Sequence, residues 1–128
     1  MIKEQLLESV AYLKNKGFEN PEIGIVFGTG LGKFVDNIED PIEAHYNHIP
    51  FFPLATVEFH TGKLVYGTIS DKKVVVMQGR FHLYEGYDFL DITYPIRVMH
   101  MLGISKLFIS NAAGAVNLDY KKGDMMLI

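Results

Sequence analysis

The chain has 128 residues, a formal charge of −3, and 48% hydrophobic against 21% charged residues, the balance of one small folded domain rather than of a disordered chain. It contains no cysteine, which excludes disulfide scaffolds, thiolate metal sites and a thiol nucleophile. Weak acidity without basic runs, short apolar runs and a start unlike a signal peptide argue against nucleic-acid and membrane partners and for a cytoplasmic, small-molecule protein.

Leu6, Leu7, Val10, Leu13 and Lys14 recur at helical spacing and Gly17 suits a C-cap, so the first element is a predicted amphipathic helix. Asn20-Pro21 breaks the chain ahead of Ile23-Gly24-Ile25-Val26-Phe27, a short apolar run with the pattern of a buried strand. Gly28-Thr29-Gly30-Leu31-Gly32 follows directly, and Lys33 to Asn37 suits a helical turn. Residues 39–62 contain Pro41, Pro50 and Pro53 and two aromatics expected to be exposed, Phe51 and Phe52; they read as a long irregular loop of the kind that is functional or mobile. Lys63–Ile69 and Lys73–Met77 read as strands joined at Ser70-Asp71. Phe89–Leu102 has a helical pattern ended by Gly103, with Pro95 as a source of a kink. Lys106–Ser110 reads as another buried strand and Asp124–Ile128 as the start of one more. Because an apolar Met125-Met126-Leu127-Ile128 is an unusual terminus, the polypeptide is expected to continue in a longer protein.

Alternating strands and helices predict an α/β fold with a mixed, mostly parallel twisted sheet flanked by helices, one domain over 1–128 with no internal boundary. In such sheets ligands sit beyond the carboxyl ends of strands. Three polar or glycine-rich segments fall there, after Phe27, Met77 and Ile109.

The first, Gly28 to Gly32, permits close backbone approach to an anion, and Thr29 adds a hydroxyl. It matches neither a dinucleotide fingerprint, because Lys33 takes the place of the third glycine, nor a Walker loop, because Phe34 follows Gly32-Lys33. A plain strand-to-helix turn fits the same residues. The second is Gln78-Gly79-Arg80-Phe81-His82-Leu83-Tyr84-Glu85-Gly86. An extended backbone there places Arg80, His82 and Tyr84 on one face and turns Phe81 and Leu83 into the core. Arg80 beside His82 makes an oxyanion cradle, with Glu85 as a supporting partner of Arg80; the solvated face of an edge strand is the alternative. The third, Ser110-Asn111-Ala112-Ala113-Gly114-Ala115, leaves room for a ligand and exposes backbone N–H groups, or is a tight crossover turn. His60 lies in the long loop, as do His45 and His48, whose spacing of three without a third ligand does not make a zinc site.

Together these segments resemble the trimeric branch of the purine nucleoside phosphorylase family. The resemblance rests on Val26-Phe27-Gly28-Thr29-Gly30-Leu31-Gly32, on His60-Thr61-Gly62-Lys63-Leu64-Val65-Tyr66-Gly67, and on Met77 to Tyr87 with its G-R-F-H-x-Y-E-G stretch. Pro95-Ile96-Arg97-Val98, Asn111-Ala112-Ala113-Gly114 and Gly123 to Ile128 continue it in order, so it covers most of the chain from about Ile23 onward.

The resemblance implies a nucleoside phosphorylase-like fold, truncated to its N-terminal half. It also implies reversible phosphorolysis of a purine (deoxy)nucleoside to the free base and (deoxy)ribose 1-phosphate, a homotrimer when full length, and no cofactor beyond phosphate as co-substrate. By matching position, Thr29 (usually serine in the family), His60, Arg80, His82 and the Ala112 N–H are expected to hold phosphate. His82 is the catalytic candidate, Tyr84 is expected to contact the ribose, and Asn111, Ala113 and Gly114 to border the substrate. No metal is expected. The family's purine-recognising glutamate and asparagine belong to a later half with no counterpart here, so the isolated chain is expected to be inactive or nearly so. Methylthioadenosine phosphorylase, the related enzyme for 5′-thio nucleosides, and a non-catalytic phosphate-binding module are the alternative readings.

Overall fold

The computed structural model describes residues 1–28, 31–54 and 62–128. Helix α1 spans Ile2–Lys16 and buries Leu6, Ser9, Val10 and Leu13, one stripe of its surface. It ends where Gly17 takes φ 109° and the N–H groups of Gly17 and Phe18 reach back to the Lys14 and Leu13 carbonyls, a reversal that only glycine makes without Cβ strain. Five strands follow: β1 (Ile23–Val26), β2 (Glu39–His45), β3 (Lys63–Ile69), β4 (Lys72–Gln78) and β5 (Lys106–Ile109), with helix α2 (Phe89–Leu102) between the last two. Short 3₁₀ turns cover Gly32–Asn37, Tyr46–His48 and Leu83–Glu85.

The sheet order is β2-β3-β4-β1-β5. Strand β1 pairs in parallel with β4 and β5, while β3 runs antiparallel to both β2 and β4, so the sheet is mixed. The β3–β4 hairpin closes on Ser70 and Asp71, at φ 47° and 63°, and Ile69 faces Lys72. Positive φ at both central residues matches the turn to the strands' own twist.

Alternation divides the sheet between two apolar clusters. Val26, Leu64, Tyr66, Val75 and Met77 pack under α1 and α2, against Leu13, Val98 and Met99 among others. Val65, Val74 and Val76 face the other way and meet Ile38, with Ile25, Phe27 and Val35 beside them. Helix α2 begins on a reciprocal cap, the Asp88 carboxylate accepting from the Asp91 N–H at 2.8 Å and Asp91 from Asp88 at 3.2 Å. It continues through Pro95, which is buried in the helix, and stops at Gly103 with φ 120°.

Four expectations need correction. Phe51 is exposed as expected, but Phe52 is buried, its ring packed on Tyr46 and Tyr94. The stretch read as loop from residue 39 begins with strand β2, whose Pro41 is accommodated because the strand lies at the sheet edge, with its register broken between Glu39 and Ile42. Strand β5 is exposed along its whole length rather than buried, because among the described residues it pairs on one side only and no layer covers it. Asp124–Ile128 forms no strand; a strand needs a ladder partner, and none meets it among the described residues.

Candidate functional site

The three segments singled out by sequence converge. Val26 stands level with Met77 on one side and Ile109 on the other, so three parallel strands end together. The chain leaves each of them into the same space. A cavity of about 430 Å³ lies there. Phe27, Gly28, Gly32 and Val35 form one wall, Gln78, Gly79, Arg80 and His82 another, and Asn111 with Ala112 a third.

Close backbone approach holds these walls together. A Cβ on Gly28 would lie 2.8 Å from the Asn111 Cα and 2.9 Å from the Ser110 carbonyl oxygen, so only glycine fits between the β1 and β5 exits. The Gly28 N–H donates to Ser110 Oγ at 3.3 Å, and Arg80 Nη1 donates to the Ser110 carbonyl at 2.9 Å. Ser110 therefore ties all three strand ends, a role that its place at a strand terminus alone did not disclose. Gly79, at φ 106°, turns the chain sharply out of β4 just ahead of Arg80.

His82 is fixed from its own turn. Its Nδ1 is hydrogen-bonded to Glu85 Oε1, and the same carboxylate oxygen accepts the His82 backbone N–H at 3.2 Å. With Nδ1 engaged by a carboxylate, Nε2 is the ring nitrogen left for a ligand. The His82 ring stacks on Tyr84, centroids 4.9 Å apart. Glu85 thus supports His82, not Arg80 as expected. The cause is the 3₁₀ turn over Leu83–Glu85: it brings residues three apart together, where an extended strand would have sent them to opposite faces. The same turn leaves Leu83 exposed instead of in the core, while Phe81 is buried as expected.

Arg80, His82, Asn111 and Ala112 are all on the cavity wall. Tyr84 is 84% exposed and reaches the site only through its stack on His82. Ala113 and Gly114 are exposed and follow directly on the wall residues. Thr29 and His60 lie outside the described residues. The His45 and His48 rings meet edge to face at 5.9 Å, and no group of three metal-ligating side chains occurs among the described residues. Among the described residues no helix is long and apolar enough to cross a membrane. Sequence reasoning passed over Gln78, whose Oε1 is buried at the cavity wall without a partner among the described residues. It also passed over Tyr46, which lies behind the wall; burial pushes its phenol above the ordinary value of 10.0 and keeps it a hydrogen-bond donor.

The family model described as the phosphorylase superfamily matches residues 22–128. This chain belongs to the phosphorylase superfamily. It is 46% identical over 127 residues to purine nucleoside phosphorylase 1 of Bacillus subtilis and 48% identical over 128 residues to that of Geobacillus stearothermophilus. These matches take in 99% and 100% of the chain but 47% of either relative, so the chain spans about half the length of the curated relatives it matches. Among solved structures, isoform 2 of the Schistosoma mansoni purine nucleoside phosphorylase, in complex with cytosine and ribose-1-phosphate, superposes with a TM-score of 0.90 at 45% identity. That likeness covers 94% of this chain and 42% of the other.

Proposed function

We propose that this chain carries the phosphate- and ribose-facing part of a purine nucleoside phosphorylase, which reversibly converts a purine (deoxy)nucleoside and inorganic phosphate to the free base and (deoxy)ribose 1-phosphate. The observation that carries the reading is the meeting of Arg80, His82, Asn111 and Ala112 around one cavity where three parallel strands end. The relatives' names support it. So do the Schistosoma mansoni enzymes solved with ribose-1-phosphate present and with inosine.

Breaking the bond from the anomeric carbon to the purine nitrogen builds positive charge on the sugar and leaves the electron pair on the base. Phosphate is already a nucleophile, so the site's task is to place it under the anomeric carbon and to neutralise charge. In this reading the planar guanidinium of Arg80 holds phosphate oxygens as a fork. His82 donates to phosphate from Nε2 while the Glu85 carboxylate holds Nδ1. The Ala112 N–H, the Thr29 hydroxyl and His60 complete the phosphate shell, and Asn111 lines the substrate side. Tyr84 flanks the ribose, with Ala113 and Gly114 bordering the base. The reaction as written requires neither metal nor cofactor, phosphate being a co-substrate. By resemblance, the whole protein is a cytoplasmic homotrimer and residues 1–128 belong to one domain.

The test is hypoxanthine release from inosine by the purified chain, with and without phosphate, alongside a phosphate-binding titration. Since the chain spans about half its relatives, phosphate binding with little or no turnover is the expected result. Phosphate-dependent release would extend the reading to the full reaction. Release that ignores phosphate, or absence of both binding and release, overturns it. Faster turnover of methylthioadenosine than of inosine would move the assignment to the 5′-thio nucleoside enzyme.

A further inference from the structure

We infer that Tyr46, which lies behind the cavity wall rather than on it, is a positioning residue for the anion site: its hydroxyl sets the turn that presents Arg80 and His82. The inference rests on the phosphate reading of that site. Tyr46 follows β2 and is 2% exposed, with its ring against Phe52 and Phe81 at centroid distances of 5.6 and 5.1 Å. Its hydroxyl donates to the Gly79 carbonyl at 2.7 Å, and its backbone N–H donates to the Gly62 carbonyl at 3.0 Å.

One residue therefore grips two glycines. Gly79 is the left-handed pivot through which β4 turns into Arg80-Phe81-His82. Gly62 is the residue from which β3 is entered, and the Tyr46 ring occupies the space where a Gly62 side chain would stand. Gly62 and Gly79 approach closely as well: a Cβ on Gly79 would lie 3.2 Å from the Gly62 Cα. The packing of Tyr46 on Phe81 anchors the residue between Arg80 and His82, so the pivot is held at its carbonyl and at its next-but-one neighbour. Without the hydroxyl, the Gly79 carbonyl loses its Tyr46 donor and the turn is free to rotate toward another partner. A displacement of a fraction of an ångström at the pivot is carried directly to the guanidinium and imidazole. Tyr94 offers an internal comparison. It too is a buried tyrosine whose hydroxyl is hydrogen-bonded, to Ser9 Oγ at 2.8 Å, but it lies in α2 and away from the cavity wall.

The experiment compares Tyr46→Phe and Tyr94→Phe in the full 128-residue chain. Stability is followed by thermal unfolding, inorganic phosphate affinity by calorimetric titration, and His82 by the ¹⁵N shifts of its ring. Both variants are expected to lose stability. Tyr46→Phe alone is expected to weaken phosphate binding by about tenfold, the net worth of one hydrogen bond, and to shift the His82 ring resonances. Equal phosphate affinities and unmoved His82 resonances in the two variants overturn the inference. If the unsubstituted chain binds no phosphate, the phosphate reading fails on its own, and the His82 resonances still decide whether Tyr46 sets the turn. Should Tyr46→Phe not fold, Gly79→Ala disturbs the pivot from the other side, and a folded Gly79→Ala chain with native phosphate affinity and native His82 resonances refutes the inference equally.

Discussion

Replacing Arg80 by alanine gives the sharpest check on the anion site. Arg80 is half-buried on the cavity wall, and among the described residues the Ser110 carbonyl engages a single Nη1 donor. A guanidinium carries five donors, so most remain for a ligand. A charge-assisted hydrogen bond of this kind is worth roughly 1.5–3 kcal/mol net, which corresponds to about a 10- to 150-fold loss of phosphate affinity. Stability should move far less. The bond to Ser110 is a single one at a partly solvated position, so unfolding in urea should shift by about 1 kcal/mol or less. Arg80→Lys keeps the charge without the fork and should fall between alanine and the native residue. Titration of inorganic phosphate at fixed ionic strength, with urea unfolding of the same samples, separates the two effects. An Arg80→Ala chain that binds phosphate within twofold of the native one refutes the assignment of Arg80. A large stability loss at unchanged affinity would make Arg80 a clip between β4 and β5 and nothing more.

Gly28→Ala should cost about 1–3 kcal/mol in urea unfolding, because its Cβ meets backbone at 2.8 and 2.9 Å, which cannot swing aside; by parting the β1 and β5 exits it should also weaken phosphate binding at least severalfold in the same titration. At high pH the chain should lose stability through Tyr46. Burial raises its phenol above 10.0 in the folded state, so its contribution is complete below pH 10 and is lost at about 1.4 kcal/mol per pH unit above it, as the unfolded chain ionises first. Unfolding between pH 9 and 11.5 reads this slope directly, and Tyr46→Phe should flatten it.

Much of the fold could be read from the residues. The stripe Leu6, Val10 and Leu13 with Gly17, the apolar runs of β1 and β4, the Ser70-Asp71 turn and the span from Asp88 to Gly103 each state a local backbone preference, and each element lies where those preferences placed it. The α/β pattern likewise sent the segments after Phe27, Met77 and Ile109 to one end of the sheet, and the parallel β4-β1-β5 register put them there. Strand β2 was not legible because Glu39, Asp40 and Pro41 are all exposed on an edge, which leaves alternation only over Ile42 to His45.

The site itself divides the same way. Arg80, His82, Asn111 and Ala112 could be named from residue type and spacing because strand ends and small residues are local features. The pairing of Glu85 with His82 depended on a single 3₁₀ turn, and extended and turned backbones differ there by too little for side-chain alternation to choose. The Ser110 clip, the fit of Gly28 against Asn111 and the reach of Tyr46 across 33 residues to Gly79 depended on strand order and register. Short-range periodicity and glycine punctuation are written in the amino-acid sequence because they act within a few residues of the chain. Which donor meets which carbonyl across the sheet was decided only by tertiary packing, where residues far apart in sequence are brought to within a hydrogen bond of one another.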